Sequence, residues 1–208
     1  MKVYFVRHGE TVCDQQRVHK SDECGLSPEG FTQAQALARR FKETKIDQII
    51  CSDMLRALQT TAALEKRLHQ TAMINPLVRE RKIPSELVGK SMHDSKLKKR
   101  HIHNHHTDAL WHHSDEENFF DFQKRVHAFL DELIHRPDAT VLVVSHGNFI
   151  KMVMCSMIFR KKLSPEIFYA FSHHVKVSYT GITICETQDD GSWALRRIND
   201  CTHLNGLG

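Results

Sequence analysis

The sequence predicts an α/β fold of three layers, α/β/α, with a mostly parallel central sheet, and three observations support this prediction. Short runs of β-branched and aromatic residues alternate with longer segments of helical periodicity along the chain. Residues 140–144 are almost entirely apolar, which is typical of a strand that helices cover on both faces. Three predicted strands end directly in polar motifs, which is where such sheets place their binding sites.

Length and composition fit an ordinary globular protein. With 208 residues, we expect a single domain over residues 1–208, with room for an insert. The 26% of charged and 40% of hydrophobic residues exclude a disordered or fibrous chain. No apolar run reaches the roughly 18 residues of a membrane span, and a signal-peptide pattern is absent, so we expect a cytoplasmic protein. A net charge of +4 gives no reason to expect nucleic acid or a membrane as partner.

The first part of the chain carries three predicted strands and two predicted helices. The strands are residues 2–6, 46–51 and 72–74. Ser27 and Pro28 mark the start of the first helix, while Ser52 and Asp53 are predicted to cap the second, which runs to about residue 69. Helical spacing predicts a buried face on the first helix, made of Phe31, Ala34, Leu37, Ala38 and Phe41.

The pattern resumes after a break at residues 81–117, which are polar and weakly periodic. A helix is predicted from Asn118 to about Arg136, where Pro137 follows. Its apolar face consists of Phe122, Val126, Phe129, Leu130 and Leu133. The remaining predicted elements are a strand at 140–144, a helix at 149–159, and strands at 175–186 and 193–198.

Polar side chains follow four of the predicted strands. Arg7 and His8 come directly after the first strand, and Arg56 lies one turn into the helix after the second. Glu80 follows the third strand, and His146 follows the strand at 140–144. Taken singly, each has an ordinary structural explanation, such as a solvated surface charge. Because parallel strands end at one edge of a sheet, we expect all five to converge, and this convergence favours a shared site.

Two guanidinium groups, two imidazoles and a carboxylate suit a tetrahedral phosphate. Arginine binds phosphate through a planar fork and keeps its charge. A neutral His8 can attack phosphorus to form a phosphohistidine, and His146, if protonated beside the anion, can stabilise the transition state. Glu80 can hold a proton for the leaving alkoxide. Gly147 allows the backbone to approach a ligand closely.

These residues belong to a longer pattern that resembles a known family. Val6-Arg7-His8-Gly9-Glu10-Thr11 is similar to the RHGET motif of the histidine phosphatase superfamily, also called phosphoglycerate mutase-like. The similarity continues in the family's order and spans nearly the whole chain, through residues 26–34, 52–62, Glu80, 145–147, 193–195 and 203–204.

The resemblance implies a phosphoglycerate mutase-like fold and a role for each residue. His8 is implied to be the nucleophile that becomes phosphorylated, with Arg7, Arg56 and His146 holding the phosphoryl group. Glu80 is implied to be the general acid and later the base that activates water. The resemblance also implies that no metal or other cofactor is required, and that a backbone carbonyl fixes the tautomer of His8.

Asp14 departs from the family pattern, which usually has Asn three residues after the motif's Thr. An ionised Asp only accepts hydrogen bonds, whereas Asn can donate one to phosphate. Three possibilities stay open: Asp14 is protonated with substrate bound, faces away, or binds a cationic part of the substrate. We expect Asp14→Asn to retain activity, with a loss below about tenfold.

The resemblance implies that the segment after Glu80, about residues 81–118, is a helical or irregular lid that covers the site and selects substrate. It is basic before it turns acidic at Asp115, which suits a phosphorylated substrate or, equally, a solvated helix face. Its crowded histidines are candidates for either a metal site or adventitious metal binding: His101, His103, His105, His106, His112 and His113.

The six cysteines show no CxxC spacing, and with no secretory signal we expect free thiols rather than disulfides.

The leading functional hypothesis is a broad-specificity phosphomonoester hydrolase that acts on a small phosphorylated substrate. A cofactor-dependent phosphoglycerate mutase would use the same residues, and dependence on 2,3-bisphosphoglycerate would distinguish it. The third hypothesis is a weakly catalytic domain that binds phosphorylated ligands. The sequence indicates neither the physiological substrate nor the oligomeric state.

Overall fold

The computed structural model describes residues 1–93, 114–136 and 139–205. The strands in these ranges are β1 (Lys2–Arg7), β2 (Gln48–Cys51), β3 (Met73–Ile74), β4 (Thr140–Ser145), β5 (Ile182–Thr187) and β6 (Trp193–Asp200). The α-helices in these ranges are α1 (Val12–Gln15), α2 (Pro28–Arg40), α3 (Leu55–Leu68), α4 (Phe119–Ile134), α5 (Gly147–Phe159) and α6 (Pro165–His174). The histidine cluster and most of the expected lid lie outside the described residues.

The six strands form one sheet in the order β3-β2-β4-β1-β5-β6. The pairs β1–β4, β2–β4 and β2–β3 are parallel, while β5 pairs antiparallel with β1 and β6 antiparallel with β5. Arg7 lies opposite Ser145 at the ends of β1 and β4, which places the residues after these strands side by side. The predicted α/β fold with a mostly parallel sheet is confirmed.

Alternation along β4 divides the core between the two faces of the sheet. Val141 and Val143 pack in a cluster with α4, α5 and Phe168 of α6. Leu142 and Val144 pack in a second cluster with α2 and α3. Successive strand side chains point to opposite faces, so an unbroken apolar run is what a sheet between two helical layers requires.

The start of α2 packs against the loop that follows β1. Ser27 caps the helix by accepting a hydrogen bond from the Gly30 backbone N–H, and Pro28 occupies the first helical position, as predicted. A Cβ atom on Gly30 would collide with the carbonyl oxygen of Glu10, and one on Gly9 would lie 2.6 Å from the Gly30 oxygen. Glycine at both positions therefore lets the two backbones touch.

Several predicted details of the elements are wrong. Phe31 is 46% exposed because it lies at the edge of the buried face of α2, whereas the other residues predicted for that face are buried. The second helix begins at Leu55 with Met54 at its N-cap position, and no side chain caps it. Ser52 instead faces His146.

The end of the chain also differs from the prediction. Residues 175–181 form an irregular loop with a turn at 179–180 rather than the first half of a strand, and Thr180 has a φ of 53°. Helix α6, which begins at Pro165 with Ser164 as its N-cap, was not predicted.

No helix among the described residues is both long and apolar enough to cross a bilayer.

Candidate active site

The predicted residues meet at the carboxyl edge of the sheet. His8 follows β1, His146 follows β4, and Arg56 lies in the first turn of α3 after β2. A cavity of about 710 Å³ opens at this edge, and His8, Arg56 and Glu80 line it. The ring centroids of His8 and His146 lie 5.2 Å apart. His8, Arg56 and Glu80 thus share one cavity, while His146 lies beside His8 and Arg7 lies beside Gly147 without lining the cavity.

The His8 ring is buried and held in one orientation. Its Nδ1 lies 2.6 Å from the carbonyl oxygen of Gly9, the contact expected from the resemblance. A carbonyl only accepts hydrogen bonds, so Nδ1 carries the hydrogen and Nε2 keeps its lone pair. The Gly9 N–H in turn donates to Thr60 Oγ1 at 3.0 Å, which fixes the peptide that orients the ring.

The environment also keeps His8 neutral. Burial, followed by the nearby His146, Arg56 and Arg7, holds the pKa of His8 well below its ordinary 6.5. At neutral pH, the ring therefore presents an unprotonated nitrogen, the form that acts as a nucleophile.

His146 is fully buried and contacts Ser52. Its Nε2 lies 2.8 Å from Ser52 Oγ, while the Met54 backbone N–H donates to the same hydroxyl at 3.4 Å. The other ring nitrogen, Nδ1, has no hydrogen-bond partner among the described residues. Burial and then the charge of Arg56 hold the pKa of His146 well below 6.5, so the ring is neutral without a bound anion.

Both arginines keep one buried N–H group without a partner. Arg7 donates from Nη1 to the Val177 carbonyl at 2.7 Å, and its Cζ lies 4.1 Å from the centroid of the Tyr179 ring. Arg56 donates from Nη1 to the Ser21 carbonyl at 2.9 Å. Within the described part of the chain, the Nε of each arginine has no acceptor. Buried charged donors of this kind fit an oxyanion.

Glu80 is held at the amino-terminal end of α5. Its carboxylate accepts hydrogen bonds from the backbone N–H groups of Arg81, Asn148 and Phe149 at 2.9 to 3.2 Å. Arg125 supports the same segment, because its guanidinium donates to the carbonyl oxygens of Leu77, Arg79 and Glu80. The carboxylate therefore has a fixed place at the cavity, across from His8 and Arg56.

The site occurs within a recognisable family pattern. Residues 3–201 match the family described as "Histidine phosphatase superfamily (branch 1)". The chain belongs to this superfamily.

Two curated relatives and one solved structure illustrate the range of this superfamily. A "Probable phosphatase" of Schizosaccharomyces pombe is 28% identical over 98% of this chain and 95% of its own. A "Probable phosphoglycerate mutase" of Yersinia pestis is 24% identical over 76% of this chain and 75% of its own. The structure of a phosphoserine phosphatase mutant from Entamoeba histolytica in complex with phosphoserine has a TM-score of 0.78 at 22% identity, covering 98% of each chain. The last of these likenesses confirms the fold.

Asp14 and Gly147 are the two remaining residues that the sequence predicts for the site. Asp14 does not line the cavity: its carboxylate pairs with Lys20 Nζ at 2.7 Å and accepts hydrogen bonds from the Thr11 backbone N–H and Oγ1. Burial alone would raise the pKa of Asp14, but Lys20 and the hydrogen bonds outweigh it and lower the pKa, so Asp14 is ionised. Gly147 starts α5, and a Cβ there would make only an ordinary 3.6 Å contact with Arg7 Nε.

A disulfide joins Cys13 and Cys24, so the prediction of free thiols is wrong for these two cysteines. The other four, Cys51, Cys155, Cys185 and Cys201, are free. An antiparallel bridge between Thr11 and Leu26 brings the two cysteines close together. Their separation of 11 residues in the sequence does not by itself indicate that they form a disulfide. The disulfide closes the loop that carries Lys20 and Ser21 to the cavity of this histidine phosphatase.

Sequence reasoning missed three side chains at the site of this histidine phosphatase. Lys20 lines the cavity, Tyr179 stacks on Arg7, and Arg125 supports Glu80. For Tyr179, the turn-forming Ser-Tyr-Thr-Gly run at 178–181 was a usable signal of a loop at the sheet edge. In the described ranges, no three His, Cys, Asp or Glu side chains form a group that could hold a metal ion.

Proposed function

We propose that the protein is a broad-specificity phosphomonoester hydrolase that acts through a phosphohistidine on His8. The observation that carries this proposal is the state of His8: a neutral, buried ring whose Nδ1 donates to Gly9, leaving Nε2 as the nucleophile. His8 lines a cavity together with the buried Arg56, and Arg7 directly precedes it in the chain; the buried Nε of each arginine has no acceptor among the described residues. A nucleophile beside fixed cations is what phosphoryl transfer requires.

In the first step, the Nε2 lone pair of His8 attacks phosphorus and a P–N bond forms as the P–O bond to the leaving group breaks. Glu80 gives its proton to the leaving alkoxide, which departs as an alcohol. Arg7 and Arg56 neutralise charge on the equatorial phosphoryl oxygens, and Nδ1 of His146 donates a hydrogen bond to one of them. The product is an Nε2-phosphohistidine with a deprotonated Glu80.

In the second step, water attacks phosphorus and transfers a proton to Glu80, which now acts as base. The P–N bond breaks, its electron pair returns to Nε2 of His8, and inorganic phosphate leaves. His8 is then neutral again, and Glu80 holds the proton that the next leaving group takes, so the cycle is closed. In this scheme, protein cations supply all of the charge neutralisation, so we propose that turnover requires no metal and no other cofactor.

The test is phosphate release from p-nitrophenyl phosphate in EDTA by the native protein and by His8→Ala. We expect turnover by the native protein, no turnover by the variant, and an acid-labile phosphoenzyme in the native protein alone. Activity that survives His8→Ala would refute the mechanism. Loss of activity in EDTA, restored by a divalent cation, would refute metal independence.

The similarity to the Yersinia "Probable phosphoglycerate mutase" favours a second candidate function. A mutase would use the same phosphohistidine but transfer the phosphoryl group to a second hydroxyl rather than to water. Mutase activity that depends on 2,3-bisphosphoglycerate, at a rate above phosphate release, would establish this alternative.

We propose small phosphomonoesters as the substrate class. The Entamoeba relative is a phosphoserine phosphatase whose structure holds phosphoserine, which makes phosphoserine a reasonable first metabolite to assay beside 3-phosphoglycerate. A cavity of about 710 Å³ lies within the range of small-molecule sites and leaves room for larger esters.

We further propose that residues 1–208 form one histidine phosphatase domain, with about residues 81–118 as its insert, and that the protein is cytoplasmic. The Cys13–Cys24 disulfide argues against this location, because thiols in a reducing compartment are mostly kept reduced, so the state of the two cysteines in cells tests the proposal. Rapid alkylation in intact cells should find both cysteines as thiols if the protein is cytoplasmic. A protected pair would place the protein in an oxidising compartment.

A further inference from the structure

The ion pair between Lys20 and Asp14 lies beside the reacting groups but has no role in the scheme above. Lys20 Nζ is 2.7 Å from Asp14 Oδ1, and the side chains are only 18% and 11% exposed. The other carboxylate oxygen of Asp14 accepts hydrogen bonds from the backbone and the hydroxyl of Thr11. The pair is therefore held from one side, by the short helix α1.

Lys20 shares the wall of the cavity with other paired cations. Arg79 pairs with Asp22 and Asp53, Lys82 pairs with Asp115, and Arg125 pairs with Glu117. Asp22 and Glu117 line the same cavity, so they compete with an anion there. Asp14 does not line the cavity, so the carboxylate that pairs with Lys20 does not compete with an anion there. The same holds for Asp115, but the Lys82 side chain is 57% exposed to solvent, whereas that of Lys20 is 18% exposed. Lys20 is therefore the more buried of these two cations at the cavity.

Lys20 lines the same cavity as His8 and Arg56. After burial, its positive charge is one of those that lower the pKa of both His8 and His146. An ammonium group has three N–H donors, and within the described ranges the one ion pair that Lys20 makes is with Asp14. Two donors are thus available to an oxygen of a bound anion.

We propose that Lys20 binds the transferred phosphoryl group as a third cation, and that Asp14 is a positioning residue that holds Lys20 in place. This proposal rests on the proposed phosphatase function. In this proposal, Asp14 does not contact the substrate itself. It acts on the substrate indirectly by holding Lys20 in place, a role that was not among the three possibilities raised from the sequence. The Cys13–Cys24 disulfide fixes both ends of the loop that carries the pair.

The experiment compares Lys20→Met, Asp14→Ala and the double variant with the native protein. Affinity for inorganic phosphate is measured by calorimetry, and kcat and KM are measured with p-nitrophenyl phosphate. We expect Lys20→Met to weaken phosphate binding about tenfold and to lower kcat/KM by at least as much, because a charge-assisted contact is lost. Asp14→Ala should produce part of this loss in the native background and none in the Lys20→Met background.

Conservative variants and a matched control complete the design. Lys20→Arg keeps the charge and should retain phosphate binding within about threefold, and Asp14→Asn, which keeps an acceptor for Lys20, should do the same. Lys45→Met is the control, because Lys45 pairs with Asp47 at 3.7 Å but is 91% exposed and lies near the opposite edge of the sheet. If Lys20→Met melts at a lower temperature, Lys20→Gln repeats the test with a polar side chain.

The outcomes separate this proposal from the proposed function. Native turnover with phosphate affinity and kcat/KM unchanged in Lys20→Met would refute the role of Lys20 and leave the phosphatase function standing. A further loss from Asp14→Ala in the Lys20→Met background would refute the positioning role of Asp14. A native protein that neither binds phosphate nor turns over ester would refute the proposed function itself. Binding without turnover would still test Lys20 through the calorimetric arm.

Discussion

Ser52 Oγ lies 2.8 Å from Nε2 of His146 and joins the end of β2 to the end of β4. The Met54 backbone N–H donates to the same hydroxyl, so we interpret the contact as the Ser52 O–H donating to Nε2. The ring hydrogen then sits on Nδ1, the nitrogen that has no partner among the described residues. A neutral His146 can thus donate to a phosphoryl oxygen without being protonated.

Ser52→Ala should lower kcat about tenfold, roughly 1.4 kcal/mol in the barrier, because His146 loses the contact that selects its tautomer. Kinetics with p-nitrophenyl phosphate check this, beside the melting temperature. Ser156→Ala is the matched control, since the buried Ser156 places its Oγ 3.2 Å from His127 Nε2, and neither residue lines the cavity. Equal kinetic effects of the two substitutions would contradict the prediction.

Glu80→Gln should impair turnover according to the leaving group. With phosphoserine, whose alkoxide needs a proton, we expect a loss of about 10²- to 10⁴-fold, while p-nitrophenolate, a good leaving group, should suffer far less. Glu166→Gln serves as control, because Glu166 also sits at a helix start and accepts a hydrogen bond from Ser164. A uniform loss with both esters would show that Glu80 does not protonate the leaving group.

The buried histidines should make stability depend on pH. The folded-state pKa of His8 lies below 6.5, so the unfolded chain binds a proton more readily than the folded protein. The resulting stabilisation is complete above about pH 6.5 and is lost as the pH falls through the folded-state pKa. Without phosphate, the free energy of unfolding should therefore rise with pH up to about 6.5.

The His8→Asn substitution should reduce the slope of the free energy of unfolding against pH. The reduction should be at most about 1.4 kcal/mol per pH unit, which is the slope for one proton. His146 remains in the variant, so part of the dependence should remain as well. Urea unfolding at a series of pH values measures both slopes. Identical slopes for the native protein and the variant would rule out a neutral, buried His8.

Removal of the disulfide by Cys13→Ser with Cys24→Ser should lower the free energy of unfolding by roughly 3 kcal/mol, since the closed loop is short. KM should rise as well, because this loop carries Lys20 into the cavity. Cys201→Ser, a change at a free and partly exposed cysteine, should alter neither quantity. Alkylation of the unreduced, denatured protein should label the four free cysteines, and labelling of all six would contradict the disulfide.

The positions of His8 and His146 could be predicted because each directly follows a short run of β-branched and aromatic or aliphatic residues, which is typical of a strand. Parallel strands of one sheet end at one edge, so their final residues meet whatever the intervening sequence. The start of α2 could be predicted for a similar reason, since the Ser27 cap is a local interaction.

Features that depend on contacts between distant segments could not be predicted. Tyr179 stacks on Arg7, which is distant in sequence, so the turn signal at 178–181 indicates a loop there but not this contact. Lys20 determines where the Asp14 carboxylate points, and the family pattern gives no indication of this ion pair.

Helix α6 could have been predicted from the sequence but was not. Its start at Ser164-Pro165 repeats the Ser-Pro signal that marks the start of α2 at Ser27-Pro28.

The place of β1 in the sheet has a consequence for how the site forms during synthesis. This strand is made first, but its neighbours β4 and β5 are Thr140–Ser145 and Ile182–Thr187, so both its edges stay unpaired until most of the chain has been translated. Pairing over such sequence distances is slow, and open strand edges invite aggregation. A nascent chain arrested before β4 would carry His8 but no pocket, and would depend on chaperones to keep β1 from pairing with another chain.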